Sequence, residues 1–380
     1  MQFRIRPLPF DGVDLFTLTR DELPSAVCPV SGRWVVSGYS AVRSVLADPV
    51  TYLPDNALTA VTPVRPAALR SLVRARFSLP PTLANNSSSS HTGLRRLVAS
   101  FLTPARVAAM EPRIVSLALE RLDGVDLVSD LAWDLPCIVL LELLGLSSVD
   151  VPALKAWSAA SLEFFWGDVS PSRQLELAGP VGEFHQWLVS RYHARDGALF
   201  EALADFGVSA EDAAGLCYFL LIAGQETTTQ LLSVAFDRAL RDRSLWARLG
   251  SPGVAEEFVE DVLRTAPPVV TWRRVTSRPV VLDGVSLPAG AELVLLLAGA
   301  FDSNGRHMAF GYGRHYCLGA GLARLEAAVV LRTVASKLPD LELASLEPPP
   351  MLQLLSFRAP LSVPVRCPMS QFDGERPRVG

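Results

Sequence analysis

The stretch from Ser209 to Leu240, SAEDAAGLCYFLLIAGQETTTQLLSVAFDRAL, sets the strongest limit on what this chain can fold into. It holds no proline, and apolar residues recur at three- and four-residue spacing, the period of one helix. Ser209 supplies a capping hydroxyl, and Asp212, three positions later, completes a capping box. The middle, GLCYFLLIAG, is apolar nearly all round. A helix of that kind cannot lie on a surface, so other helices have to cover it. The pattern supplies them: HTGLRRLVASFL, ARVAAMEPRIVSLALERL, DLPCIVLLELLG, FHQWLVSRYHAR, GVAEEFVEDVLRTA and GLARLEAAVVLRTVASKL all carry the same spacing.

Strand signals are fewer. GRWVVSGYS near the start reads as a strand followed by the short helix AVRSVLADP, which Pro49 stops. TWRRVTSRPVVL, the turn Asp283-Gly284, VSLPAG and AELVLLLAG read as further strands. Residues 52 to 90 are loop-rich, and Ser87 to Ser90 offer an N-cap to the helix that follows. With no internal repeat and no composition break, the expectation is a single domain over 1–380. It is mainly α with a small β-sheet region, strand-rich over 1–60, with a flexible tail over 367–380.

Composition narrows the partners. A net charge of −4 carries no basic excess for phosphates, so nucleic acid is not expected. No run of about 18 apolar residues predicts a membrane span, and the opening MQFRIRPLPFDGVDLF lacks the apolar core of a signal peptide. A cytoplasmic protein acting on a small molecule is the expectation. The five cysteines are scattered and form no CxxC pair, which argues against a disulfide framework or a zinc site.

The chemistry concentrates in Phe310-Gly311-Tyr312-Gly313-Arg314-His315-Tyr316-Cys317-Leu318-Gly319. Cys317 stands just before a predicted helix, where backbone N–H groups favour a thiolate. The glycines let the backbone approach a flat ligand. An isolated glycine-rich turn with one cysteine is more often structural. Here the full pattern Phe-x-x-Gly-x-x-x-Cys-x-Gly resembles the haem-binding signature of the cytochromes P450, and AGLARLE resembles the helix that follows it there. The resemblance covers almost the whole chain, from GYSAVRSVLADP to GLARLEAAVVLRTV. It implies the cytochrome P450 fold and haem b with Cys317 as the axial thiolate. Phe310, Gly311 and Gly319 then lie among its contacts.

Further segments match that family. Ala223-Gly224-Gln225-Glu226-Thr227-Thr228 resembles its oxygen-binding motif, in which a small residue and a glycine make room for dioxygen while an acid–alcohol pair, here Glu226 and Thr227, relays protons. The bland alternative has Thr227 bonded back to its own helix carbonyl. His91 and Arg95, four apart, share a helix face; they, with His315 and Arg274, resemble the family's partners of the haem propionates. The family's Glu-x-x-Arg pair is replaced by Asp261-Val262-Leu263-Arg264, one methylene shorter, with Glu257 and Glu260 close enough to substitute. Between the strand ending near Ala300 and Phe310 only FDSNGRHMA intervenes, where the family carries a longer loop that helps receive the electron donor.

The function this implies is a monooxygenase inserting oxygen into a small hydrophobic or aromatic intermediate of bacterial secondary metabolism. Its substrate is free or delivered on a carrier protein, and its electrons come from NAD(P)H through a ferredoxin-type donor. Two alternatives stay open: a haem-thiolate enzyme doing peroxide-driven or non-hydroxylating chemistry, and a haem-free activator of a partner enzyme. The expected distal walls are the loop from Leu53 to Leu83, Phe164, Phe165, Trp166, Ala223, Val269 and Val270.

Overall fold

The apolar segment folds into one helix, Ala210–Arg241, in the computed structural model, which describes residues 27–30, 33–146 and 149–367. Ser209 caps it by accepting from Asp212 N–H at 3.1 Å. The returning Asp212 carboxylate takes the Ser209 hydroxyl at 2.8 Å, so the box closes through side chains. Twenty-one of its residues are buried, among them Leu231, Leu232, Val234 and Phe236. Each such apolar side chain contributes about 1.5–3 kcal/mol relative to exposure.

Helices Leu135–Leu144, Val151–Trp166, Pro171–His193, Val254–Thr265 and Ala320–Lys337 pack against it. The sequence pattern reached only the second half of Pro171–His193, because Pro180 inside it interrupts the periodic reading. It missed Val151–Trp166, whose small and polar residues blur the stripe. The single helix expected over 105–122 is two, Pro104–Ala108 and Glu111–Leu119. Pro112 lacks an N–H and is tolerated only in a first turn, so a new helix starts there. Nor does the Ser87–Ser90 run cap as expected: Ser89 stands at the N-cap of Ser90–Phe101 without a side-chain bond.

The main sheet runs Val27–Val30, Arg33–Val36, Glu292–Leu296, Thr271–Thr276, Tyr52–Leu53. Only Arg33–Val36 and Glu292–Leu296 are parallel; Arg274 lies opposite Leu293. Asp283 and Gly284, with φ of 48° and 78°, close the hairpin Val280–Leu282/Val285–Leu287. Among the described residues no helix is long and apolar enough to cross a membrane. Of the tail expected over 367–380, only Cys367 is described.

Three apolar clusters form the core. One surrounds the C-terminal half of the central helix, one its N-terminal half, and one the sheet. All three contribute walls to a single cavity: Leu231 and Leu322 from the first, Leu216 and Phe219 from the second, Leu46 and Leu297 from the third.

Candidate functional site

The cavity, of about 240 Å³, lies between the Phe310–Gly319 turn and the middle of the central helix. The turn is built for close approach. Gly311 and Gly313 sit at φ 70° and 72°, a region L side chains rarely adopt, and a Cβ on Gly313 would stand 3.0 Å from the Leu46 carbonyl oxygen. Cys317 N–H donates to the Phe310 carbonyl at 3.0 Å, which folds the turn back over itself just before Ala320–Lys337 begins. Cys317 carries accessible surface, and it stands in the wall of the cavity. Burial pushes the thiol above its ordinary range; the Gly319 backbone N–H, Arg95 and Arg324 pull the other way.

Arg95, Arg274 and His315 line the same cavity. Arg274 is buried and donates to the Arg273 carbonyl at 2.7 Å, while Arg273 points to the other side of the strand and reaches the Ala57 carbonyl at 2.9 Å. Arg95 donates to the Tyr316 carbonyl at 2.5 Å. His91 stands one layer behind the wall, its ring 4.7 Å from that of His315 and its Nδ1 accepting from Arg314. The shared helix face thus brings Arg95 to the cavity but leaves His91 behind it. Among the described residues no carboxylate pairs or hydrogen-bonds with this group. His315 is pushed down to about 3 by burial, then by Arg274 and His91; His91 falls to about 4 by burial, then by Arg314 and Arg95. The Nε2 atoms of both histidines are buried without a hydrogen-bond partner. A cluster of cations and orphaned ring nitrogens with no internal anion suits a ligand that brings carboxylates. Together with a thiol in the wall and apolar sides, these residues fit haem.

From the central helix, Ala223, Gly224, Glu226 and Thr227 line the same cavity as Cys317. The Thr227 hydroxyl donates to the Ala223 carbonyl at 2.8 Å, the back-bond of the bland alternative, which leaves its oxygen free to accept. Gly224 has a second duty: a Cβ there would meet Leu140 at 2.8 Å, so its absence also lets Leu135–Leu144 pack close. Glu226 holds a partner that sequence reasoning missed. Lys155 of Val151–Trp166 places Nζ 2.7 Å from Glu226 Oε1, with 0% of the lysine side chain and 8% of the glutamate's exposed. The ammonium also lies 4.3 Å from the centre of the Trp133 ring. Next to this pair Gln225 donates to Ser158 Oγ at 2.9 Å, and Ser161 and Tyr218 share a 2.6 Å bond. The interface of the two helices is thus a polar ladder.

Behind the turn, Asp261 and Arg264 do pair, and Arg238 joins them at 3.0 Å. Glu260 does separate work. It accepts from Arg324 and lies 3.2 Å from His307 Nε2, and Arg324 in turn stacks 4.5 Å from the Phe310 ring centre. These contacts tie Val254–Thr265 to both flanks of the cysteine turn. The short FDSNGRHMA loop closes on itself through an Asp302–Arg306 ion pair, and Arg264 covers the Phe301 ring at 5.0 Å.

The expected distal walls need correction. Leu83, Ala223 and Val269 reach the cavity. Phe164, Phe165, Trp166 and Val270 do not line it, because Phe165 and Trp166 are spent in an aromatic cluster with Phe77, Tyr218 and Phe357. Leu162, Leu216, Phe219, Leu220, Trp272 and Phe357 take their place.

No family model matches the chain. It is 32% identical over 342 residues to the cytochrome P450 monooxygenase PikC of Streptomyces venezuelae, covering 82% of this chain and 79% of that protein. Among solved structures, cytochrome P450 CREJ in complex with (4-ethylphenyl) dihydrogen phosphate superimposes with a TM-score of 0.86 at 31% identity, over 93% of this chain and 96% of that one. P450BioI in complex with hexadec-9Z-enoic acid ligated acyl carrier protein does so with a TM-score of 0.78 at 25% identity, over 92% and 97%.

Proposed function

The chain belongs to the cytochrome P450 family, haem-thiolate oxidoreductases, and from that premise we propose that it inserts one oxygen atom into a small hydrophobic or aromatic intermediate of bacterial secondary metabolism. The observation that carries this reading is that Cys317 and the Glu226–Thr227 pair line one largely apolar cavity. In the overall reaction substrate, dioxygen, two electrons and two protons give hydroxylated product and water. Haem bound to a cysteine thiolate supplies electron push for cleavage of the O–O bond.

The chain's own residues do the rest. Cys317 is the ligand, fixed by its backbone bond to Phe310. Arg95, Arg274 and His315 hold the cofactor's carboxylates, with His91 bracing His315. Leu216, Phe219, Val269 and Phe357 bury the substrate and exclude water, which limits stray proton delivery. Thr227 presents its hydroxyl to the cavity, and Glu226, held by Lys155, orients the proton it receives.

The electron donor is proposed to be a separate ferredoxin-type protein fed by NAD(P)H, and the compartment the cytoplasm, where such donors work. The substrate is proposed to arrive on a carrier protein, as the P450BioI complex with a ligated acyl carrier protein illustrates for that relative. The short FDSNGRHMA loop favours one other reading, in which hydrogen peroxide replaces dioxygen and donor. The deciding experiment feeds ¹⁸O₂, NADPH, a ferredoxin and its reductase to the haem-loaded protein with candidate acyl and aromatic substrates. One labelled oxygen in the product supports the proposal; product formed with hydrogen peroxide alone, and none with the donor chain, supports the other reading.

A further inference from the structure

The helix Pro66–Arg74 turns a face to the outside that no described residue covers. Its buried side is Ala68 and Leu72, packed against Pro171–His193. Its outer side carries Leu69, 51% exposed, and Val73, 66% exposed, one turn apart. At 100° per residue Leu69 and Val73 lie side by side on the exposed flank, with Arg70 and Arg74 next to them toward the outermost face; Arg65 stands at the N-cap and Arg76 just past the C-cap, at the two ends of the helix. All four arginines are exposed, and among the described residues none of their side chains makes an ion pair or hydrogen bond. Elsewhere the arginines are mostly engaged: Arg113, Arg121, Arg173, Arg195, Arg241 and Arg332 all hold carboxylates. Four unengaged arginines within twelve residues stand out in a chain whose net charge is −4.

The helix is also a rigid platform. Directly after it, Ala75 sits 2.6 Å from where a Cβ on Gly182 would be, and Pro80 2.7 Å from one on Gly215, so both glycines act as seats for this segment. Phe77 enters a cage of Phe165, His185 and Tyr218 with ring centres 6.2, 5.3 and 5.5 Å away. Three residues beyond these seats, Thr82, Leu83 and Ala84 form cavity wall. The outer face of this segment is basic and its continuation lines the site.

We propose that this face, Leu69 and Val73 rimmed by Arg65, Arg70, Arg74 and Arg76, is the docking surface for an acidic carrier protein that presents the substrate on a tethered arm. The proposal deepens the carrier-delivery reading and rests on it. Two observations favour that occupant. The cavity keeps no free charge for a substrate: Glu226 is held by Lys155, and Arg95, Arg274 and His315 are committed to the cofactor's carboxylates, so recognition of a charged handle has to occur outside. An apolar centre with a charged rim is the anatomy of a protein–protein patch. Two exposed apolar side chains on a nine-residue helix are too few to anchor it in a bilayer.

The test is calorimetric titration of the haem-loaded protein with the holo forms of an acyl carrier protein and a peptidyl carrier domain, each charged with a hydrophobic acyl group. The comparison is the variant Arg65→Gln/Arg70→Gln/Arg74→Gln/Arg76→Gln, whose fold is checked by circular dichroism and its reduced carbon-monoxide spectrum. The expected result is salt-sensitive binding of at least one carrier that weakens tenfold or more in the variant. Binding of the free acyl compound, read from the Soret band, stays unchanged. Carrier binding that survives the four substitutions overturns the assignment, as does absence of binding by both carriers. Sedimentation with phosphatidylglycerol vesicles, lost in the variant, with no carrier binding, overturns it in favour of a lipid surface. Because calorimetry needs no turnover, failure of oxygen insertion would refute the monooxygenase reading and leave this result standing.

Discussion

Replacing Lys155 by methionine keeps the aliphatic stem and removes only the ammonium, so the change isolates the charge pair above the cavity. At 2.7 Å and an effective dielectric of about 20, the attraction between the two charges is about 6 kcal/mol before desolvation is counted. Desolvation of both partners offsets most of it, but that cost is recovered only if both charges go. With Lys155 gone, Glu226 is left in a wall with nothing else to neutralise it, and loss of one partner from a buried pair costs about 3–5 kcal/mol. Lys155→Met/Glu226→Gln should return to within about 1 kcal/mol of the parent, since a neutral pair of similar volume is tolerated. Urea unfolding of the parent, both single variants and the double variant measures this cycle. Lys155→Met should also keep the haem spectrum while lowering product formed per electron consumed, because the carboxyl that orients the proton has lost its anchor. A single-variant cost below about 1 kcal/mol, with coupling energy near zero and product yield unchanged, would refute the reasoning.

Three further outcomes follow from the site. Thr227→Ala should leave the spectra intact while product per electron falls about tenfold or more, read from NADPH consumed against product and hydrogen peroxide formed. Arg274→Leu removes a buried charge-assisted contact worth about 1.5–3 kcal/mol, so haem transfer to apomyoglobin should speed up or haem affinity fall by about ten- to a hundredfold. Glu260 is held down at about 2, first by the hydrogen bond with His307 and then by Arg324. A carboxylate lowered on folding stabilises above its unfolded value near 4.5, and that contribution is lost as pH falls toward 2. The gap in stability between the parent and Glu260→Gln should thus be about 1 kcal/mol at neutral pH, discounted for a half-exposed group, and close between pH 4.5 and about 2; a gap that widens on acidification contradicts it.

What was legible in the sequence was local. The central helix announced itself through unbroken apolar periodicity and a cap three residues from its partner, and the cysteine turn through glycines at fixed offsets. Arg274 could be preferred to Arg273 because a strand alternates and the family resemblance says which of the two faces the haem. Pairings set by distant packing were not legible. Lys155 and Glu226 meet from helices 71 positions apart in number, and no local pattern links them. One signal was available: Lys155 and Lys337 are the only lysines among 35 Lys and Arg residues, and a compact ammonium fits a buried site that a guanidinium would not. The distal walls were misread for a related reason. Phe164, Phe165 and Trp166 have the composition of a pocket, but the helix that carries them faces Phe77 and Phe357, and only tertiary packing decides which face an aromatic turns. The Gly224 contact with Leu140 was likewise invisible, since a glycine in a motif does not say which neighbour needs the space.

The central claim, a haem held by the Cys317 thiolate, is tested most directly by the carbon-monoxide difference spectrum of the dithionite-reduced protein. The account predicts the red-shifted Soret band from which the family takes its name, and its loss in Cys317→Ser with the fold retained. A folded protein that takes up no haem, or a spectrum unchanged by that substitution, would contradict it.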